Sequence, residues 1–272
     1  MTRPFWEVPL TLPRNAFSAR DAPRAGDAWR GCQDVAVEAS IQAGWGPPKY
    51  RQTGSAFIVR AMRMVHHREP AYGERLVGRT WVGRFRRDML STREVRIRSD
   101  RGPIASATQE WVHVDEHMRP CRAPADLLAA FPEHEEDGSV ELPELDGHPG
   151  ATHRFSFHVW HTWMDPLDHV NHPAYLDWCD EGISRVMKAA GLPPVSLAPV
   201  AEKLTFRAGA VADERITVES RRIGITADGA VGLGHRIVKD DGTVCADGTT
   251  IRTLAGQDPA PLVRAFDLPE AG

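Results

Sequence analysis

Apolar and polar positions alternate along residues 155–163. Phe155, Phe157, Val159 and Trp163 fall on one side and Ser156, His158 and Thr162 on the other, the period of a half-buried strand. Beyond residue 172 the period changes. Tyr175, Trp178, Cys179, Gly182, Ile183, Val186, Met187 and Ala190 share one helical face, while Asp177, Asp180, Glu181, Arg185 and Lys188 lie largely elsewhere. Alternation then resumes in 216–225, 234–238 and 244–253. The first half reads in the same order: a strand at 5–12, a helix starting near Asp27-Ala-Trp29, then strands at 75–85, 92–98 and 104–114. Ala43-Gly44 and Ala190-Gly191 are helix stops, and Ser99-Asp100-Arg101-Gly102 and Asp241-Gly242 are hairpin turns.

The two halves also match residue by residue. Cys32 and Ala43-Gly44 recur 147 positions later as Cys179 and Ala190-Gly191. Glu74-Arg75-Leu76 and Arg101-Gly102 recur 140 positions later as Glu214-Arg215-Ile216 and Asp241-Gly242. Matches in one order with a single change of offset indicate an internal duplication. One helix followed by antiparallel strands makes an α+β unit with the sheet wrapped around the helix. The expected organisation is a unit at 1–116, a linker at 117–153 with a short helix at 124–131, and a second unit at 154–272. The linker assignment rests on its Pro, Glu, Asp and Gly content, as in Pro132-Glu-His-Glu-Glu-Asp-Gly.

Composition narrows the class. The 272 residues are 42% hydrophobic and 26% charged, ordinary for a globular protein. No apolar run reaches the roughly 18 residues of a membrane span, and the N-terminus lacks the apolar core of a secretory signal. Cys32, Cys121, Cys179 and Cys245 form no CxxC pair, so a reduced, cytoplasmic protein is expected. Residues 1–116 carry 19 Lys and Arg against 13 Asp and Glu, so the net charge of −4 hides a basic first part and an acidic remainder. The arginines read as solvated strand faces or as a surface for phosphates or an acidic partner. No nucleic-acid motif accompanies them, and neither nucleic acid nor membrane is expected as a partner.

The candidate chemistry lies where strand gives way to helix, in Trp163-Met-Asp165-Pro-Leu-Asp168-His169-Val170-Asn171-His172-Pro173-Ala-Tyr175. A carboxylate in a tight loop ahead of a helix N-terminus is well placed to attack a carbonyl. The acid supplies base or nucleophile, and the helix end supplies N–H groups for the oxyanion. Pro173 suits the first helical turn and puts His172 near the N-cap. The bland reading of Asp165 is a turn or capping carboxylate, and Asp168 reads the same way. His158, His161, His169 and His172 fit no zinc spacing, and a strand would point His158 and His161 to opposite faces; no metal is expected. Cys179 lies on the apolar helix face and reads as a buried, inert thiol.

The run Asp165-x-x-x-His169-Val170-Asn171-x-x-x-Tyr175, followed by Trp178 and an acidic helix, resembles the hotdog-fold acyl thioesterases, in the branch of hydroxybenzoyl-CoA thioesterase and the acyl-ACP thioesterases. The resemblance implies a tandem double hotdog. It also implies hydrolysis of an acyl-ACP or acyl-CoA thioester to free acid and thiol, with no cofactor. Asp165 takes the position of the general base or nucleophile and His169 that of the motif histidine. The backbone N–H near His172 takes the oxyanion-donor position, and Asn171 and Tyr175 stand as substrate-binding residues. His172 replaces the second Asn of the usual HVNN run, and Leu167 stands where plant enzymes carry a catalytic Asn. Phe206-Arg207-Ala208-Gly209 lacks their Glu. The simpler single-aspartate arrangement fits better.

The first copy has no such motif before its helix. Its expected role is to complete the double sheet and line an acyl pocket, for which Trp45, Phe57, Val59, Met62 and Met64 are candidates, although core packing explains each of them. Two other functions compete. A hotdog hydratase or dehydratase shows Asp and His five apart in G-D-x-N-P-x-H, where this chain has a gap of four and neither G-D nor N-P. A catalytically silent acyl-binding module would have no need of the Asp165 loop. Chain length, carrier and oligomeric state stay open, a homodimer of such chains included.

Overall fold

The computed structural model describes residues 5–134, 138 and 140–268. The chain forms two compact units, one of Met1–Ala16 and Asp27–Glu141, the other of Phe17–Gly26 and Leu142–Gly272. The first contains strands β1 (Trp6–Leu10), β2 (Ser55–His66), β3 (Leu76–Arg86), β4 (Leu90–Ser99) and β5 (Gly102–Asp115), with helices α1 (Ala25–Gln42), α2 (Pro47–Thr53) and α3 (Ala125–Ala130). The second contains β6 (Thr152–His158), β7 (Leu197–Phe206), β8 (Arg215–Ile225), β9 (Val231–Lys239) and β10 (Val244–Leu254), with α4 (Pro173–Ala189) and α5 (Ala260–Asp267). No helix among the described residues is long and apolar enough to cross a membrane.

The duplication read from the sequence is present strand for strand. The first unit orders its antiparallel strands β1-β3-β4-β5-β2, and the second orders its own β6-β8-β9-β10-β7. In both units the long helix lies against the sheet, and in both a glycine permits the approach. A Cβ on Gly78 of β3 would collide with Val35 of α1. In the second unit the glycine is on the helix: a Cβ on Gly182 would come within 3.2 Å of the Phe155 ring and of Ser220 Oγ. Apolar faces close each core. In the first, Trp6, Trp45, Val82 and Ala39 meet Leu127 and Phe131 at α3. In the second, Ile183, Val186 and Met187 of α4 meet Val231, Leu233 and Leu254, with Leu262 and Phe266 of α5. This burial is the main favourable term in folding.

The sequence reading missed β2 and β7 and needs correction at the strand it placed at 155–163. That strand was to continue to residue 163, but β6 ends at His158 and residues His161–Trp163 form a 3-10 turn. Trp163 N–H donates to Trp160 O at 3.0 Å, and the two indoles stack at 5.1 Å. His161 is therefore not a strand residue, and the opposite-face argument for His158 and His161 lapses. The short helix read at 124–131 is α3. Part of the linker lies on β3, where His134 N–H donates to Val82 O at 2.9 Å. Residues 135–137 and 139 fall outside the described residues.

A buried polar network ties α4 to the second sheet. Arg252 of β10 pairs with Asp180 of α4 at 2.9 Å and Glu202 of β7 at 2.6 Å. Nearby, the His235 ring of β9 bridges Ser220 Oγ and Thr250 Oγ1, both at 2.8 Å. Burial, with Arg252 adding to it, pushes His235 down to about 3. The unfolded chain therefore takes a proton near the ordinary histidine value of about 6.5, before the folded chain does. This contribution to stability is complete above pH 6.5 and drains away as pH falls toward 3. Urea unfolding of the wild type should lose up to about 1.4 kcal/mol per pH unit from this one group between pH 6 and 4. His235→Gln, which can keep both hydrogen bonds, should show a correspondingly shallower loss; an unchanged slope would contradict the assignment.

Candidate active site

Residues 161–175 form one continuous backbone device. The 3-10 turn at His161–Trp163 leads into a short antiparallel bridge between Met164 and Val170. Within it Asp165 N–H donates to His169 O at 2.8 Å, and Asp168 N–H donates back to Asp165 O at 3.0 Å. Closing so short a loop needs a left-handed residue, and Asp168 takes that conformation at φ 59°. Asn171 N–H, donating to Trp163 O at 3.1 Å, fastens the exit from the loop to its entrance.

The loop orients Asp165 through one oxygen. Its Oδ1 accepts the Leu167 N–H at 2.8 Å, an Asx turn, while Oδ2 faces His169 Nδ1 at 3.3 Å. That separation suits an ion pair, but the ring is out of line for a hydrogen bond. The Asp165 side chain is 14% exposed and that of His169 24%, so both lie within the protein surface yet remain reachable. His169 is backed by Gly209, where a Cβ would come within 3.2 Å of its own Cβ.

The start of α4 is also fixed in detail. His172 is the N-cap and Pro173 the first helical residue, as the spacing predicts. The His172 side chain makes no capping hydrogen bond; its ring is buried edge-on against Phe206 at 5.7 Å. The N–H groups of Ala174 and Tyr175 donate to Asn171 O at 2.9 Å and His172 O at 3.3 Å. The first turn of α4 thus spends those two donors on the carbonyls just ahead of the helix. Asn171 Oδ1 is buried with no hydrogen-bond partner. Tyr175 Oη accepts the Ala210 N–H at 2.8 Å, and burial pushes its phenol up. Ala210 O accepts the Val170 N–H at 2.9 Å. Ala210 is therefore clamped from both sides, and it couples the Asp165 loop to the first turn of α4.

Sequence reasoning missed the aromatic support behind this loop. Trp163 meets Phe157 and Trp178 at 5.8 and 5.5 Å, and Trp178 meets Tyr175 at 4.7 Å. Trp160, stacked outside Trp163, remains 66% exposed. The density of Trp between positions 160 and 178 was the available signal. Cys179 and Cys32 are fully buried, and burial pushes the Cys179 thiol well up, as an inert core cysteine requires.

Sequence reasoning also missed that the first copy keeps the same loop. A 3-10 turn at Arg14–Ala16 leads to a bridge between Phe17 and Pro23. Ser18 N–H donates to Ala22 O at 2.9 Å, Asp21 N–H donates to Ser18 O at 3.0 Å, and Asp21 has φ 58°. All of these lie 147 positions before their counterparts. Ser18 stands in place of Asp165 and Ala22 in place of His169, so the backbone persists without the carboxylate and imidazole.

Comparisons with known proteins agree with this layout. The profile of the acyl-ACP thioesterase N-terminal domain matches residues 23–131, and that of the thioesterase-like superfamily matches residues 159–269. No curated protein sequence matches the chain. Among solved structures, a putative oleoyl thioesterase from Lactobacillus plantarum superposes with a TM-score of 0.78 at 16% identity, covering 93% of this chain and 97% of that one. The 12:0-ACP thioesterase from Umbellularia californica gives 0.75 at 14% identity, covering 93% and 95%. An acyl-ACP thioesterase from Bacteroides thetaiotaomicron gives 0.71 at 11%, covering 92% and 98%. These likenesses show the fold, two hotdog units in one chain.

The clamp on Ala210 makes a prediction. Tyr175→Phe leaves the Ala210 N–H buried without its acceptor, which should cost about 1–3 kcal/mol of stability. Thermal unfolding reads that loss as a drop of several degrees; an unchanged midpoint would show that Tyr175 does not brace the loop.

Proposed function

The chain belongs to the acyl thioesterases of the hotdog fold, and from that premise we propose which residues cleave the thioester and which carrier delivers it. Asp165 is the reactive carboxylate, either deprotonating the attacking water or attacking the acyl carbon itself. The observation that carries this reading is its divided use of oxygens: Oδ1 is held by the Leu167 N–H, while Oδ2 is left toward His169 in a partly sheltered position. His169 sits where it can orient the water or the carboxylate. The backbone N–H at His172, just ahead of Pro173, is the oxyanion donor in this reading. Such a donor is typically worth about 2.7–4 kcal/mol at the transition state. Asn171 and Tyr175 complete the wall, Asn171 through its unpartnered Oδ1 and Tyr175 through its hold on Ala210.

The carrier we assign is an acyl carrier protein, with the N-terminal profile match as support. The thiolate of its prosthetic arm is a fair leaving group, so the reaction needs a placed oxygen nucleophile and a stabilised oxyanion. The whole cycle runs on side chains and backbone of this chain, with water as the second substrate.

Asp165→Asn is the decisive variant because the Asn Oδ1 can still accept the Leu167 N–H and preserve the loop. Its kcat on an acyl-ACP should fall by at least about a hundredfold at unchanged thermal stability. A folded variant with undiminished hydrolysis removes Asp165 from the mechanism. Comparing kcat/KM on matched acyl-ACP and acyl-CoA substrates tests the carrier, and a preference for acyl-CoA would overturn that part.

A further inference from the structure

Arg93 of β4 is a buried cation without a buried anion. The residue is only 7% exposed. One nitrogen, Nη1, donates to Ala36 O and Ser40 Oγ of α1, both at 3.0 Å. Its Nε and Nη2 are buried with no hydrogen-bond partner, and among the described residues no carboxylate pairs with it. The guanidinium instead faces rings, 5.1 Å from Phe131 and 5.8 Å from Trp6. Burial pulls Arg93 down to about 10, and the influence working against it comes from Tyr50.

The duplication supplies the control. Arg93 pairs across the sheet with Val82, and its counterpart 140 positions on, Leu233, pairs with Arg222, the counterpart of Val82. Leu233 is an ordinary core residue beside Val231 and Ile183. The buried arginine of the second unit, Arg252, has two carboxylates on it. The first copy thus carries, where an aliphatic residue suffices, a charge whose burial is expensive unless paired. Two unpartnered guanidinium donors beside aromatic rings suit a planar oxyanion on a body that packs against rings.

We propose that the first unit holds a binding site for a carboxylate borne on an apolar chain, with the Arg93 guanidinium as its anchor. The carboxylate could come from a free acyl acid or from the far end of an acyl group that carries a second acid. The site stands independently of the role given to Asp165.

The probes are decanoate, decanol and the half-thioester of decanedioic acid on the carrier protein. By calorimetry decanoate should bind the wild type and Asp165→Asn alike, while decanol, with the same apolar body, should not bind measurably. Arg93→Leu, the residue the second copy uses at this position, should bind decanoate at least about tenfold more weakly. Arg93→Met repeats the measurement should the leucine variant fold poorly. Inhibition of decanoyl-thioester hydrolysis by decanoate, abolished in Arg93→Leu, identifies the free acid as the ligand. A preference for the decanedioyl half-thioester over the decanoyl thioester, abolished in the same variant, identifies the far end of the substrate. Equal decanoate binding by wild type and Arg93→Leu, decanol binding that matches decanoate, or loss of binding in Asp165→Asn alone overturns the proposal.

Discussion

A carboxylate serves best as a nucleophile or base when its surroundings hold it in place and still leave lone pairs open. The loop between Met164 and Val170 meets that condition with backbone alone. Two hydrogen bonds close it, Asp168 accepts a left-handed conformation to let it turn, and a third N–H, from Leu167, pins Oδ1. Oδ2 is left facing His169. The rest of the site follows from this closure: His169 is carried to within 3.3 Å, Val170 reaches Ala210, and Tyr175 locks Ala210 to the first turn of α4. A looser loop would scatter these groups, and placement errors of about 1 Å are costly in catalysis.

The duplicated architecture separates scaffold from chemistry. Both copies order their strands alike and both build the same turn with an aspartate near φ 60°. They differ in the side chains hung on it, Ser18 and Ala22 against Asp165 and His169. They differ again inside the sheets, where Arg93 and Leu233 occupy one register. A hotdog unit thus tolerates large changes of polarity at single positions while its backbone stays put.

How much of this was legible in the residues depended on how each element announces itself. Helix α4 was, because its apolar positions keep helical spacing over seventeen residues with Pro at the start. The hairpins were, because Asp241-Gly242 demands a turn, and Gly242 has φ 83°. The Asp165 loop was, through a motif. Strand β2 was not, because Phe57, Ile58 and Val59 run together and blur the period of two. The first-copy loop escaped because its conformation is backbone-determined and shares only Asp21 with Asp168. Arg93 escaped because an arginine in a strand reads as a solvated face, and only tertiary packing reveals that it points inward.

The ten residues Phe17–Gly26 belong to the second unit although they lie ahead of nearly all of the first. Arg20 sets its guanidinium on the carbonyls of Val195 and Leu197, both at 3.2 Å. The second unit is therefore not a contiguous stretch of gene. No single cut in the linker can release it whole, and a recombination event that shuffled the later half into another protein would leave part of its own wall behind. Inheritance of the pair as one piece is written into the path of the chain.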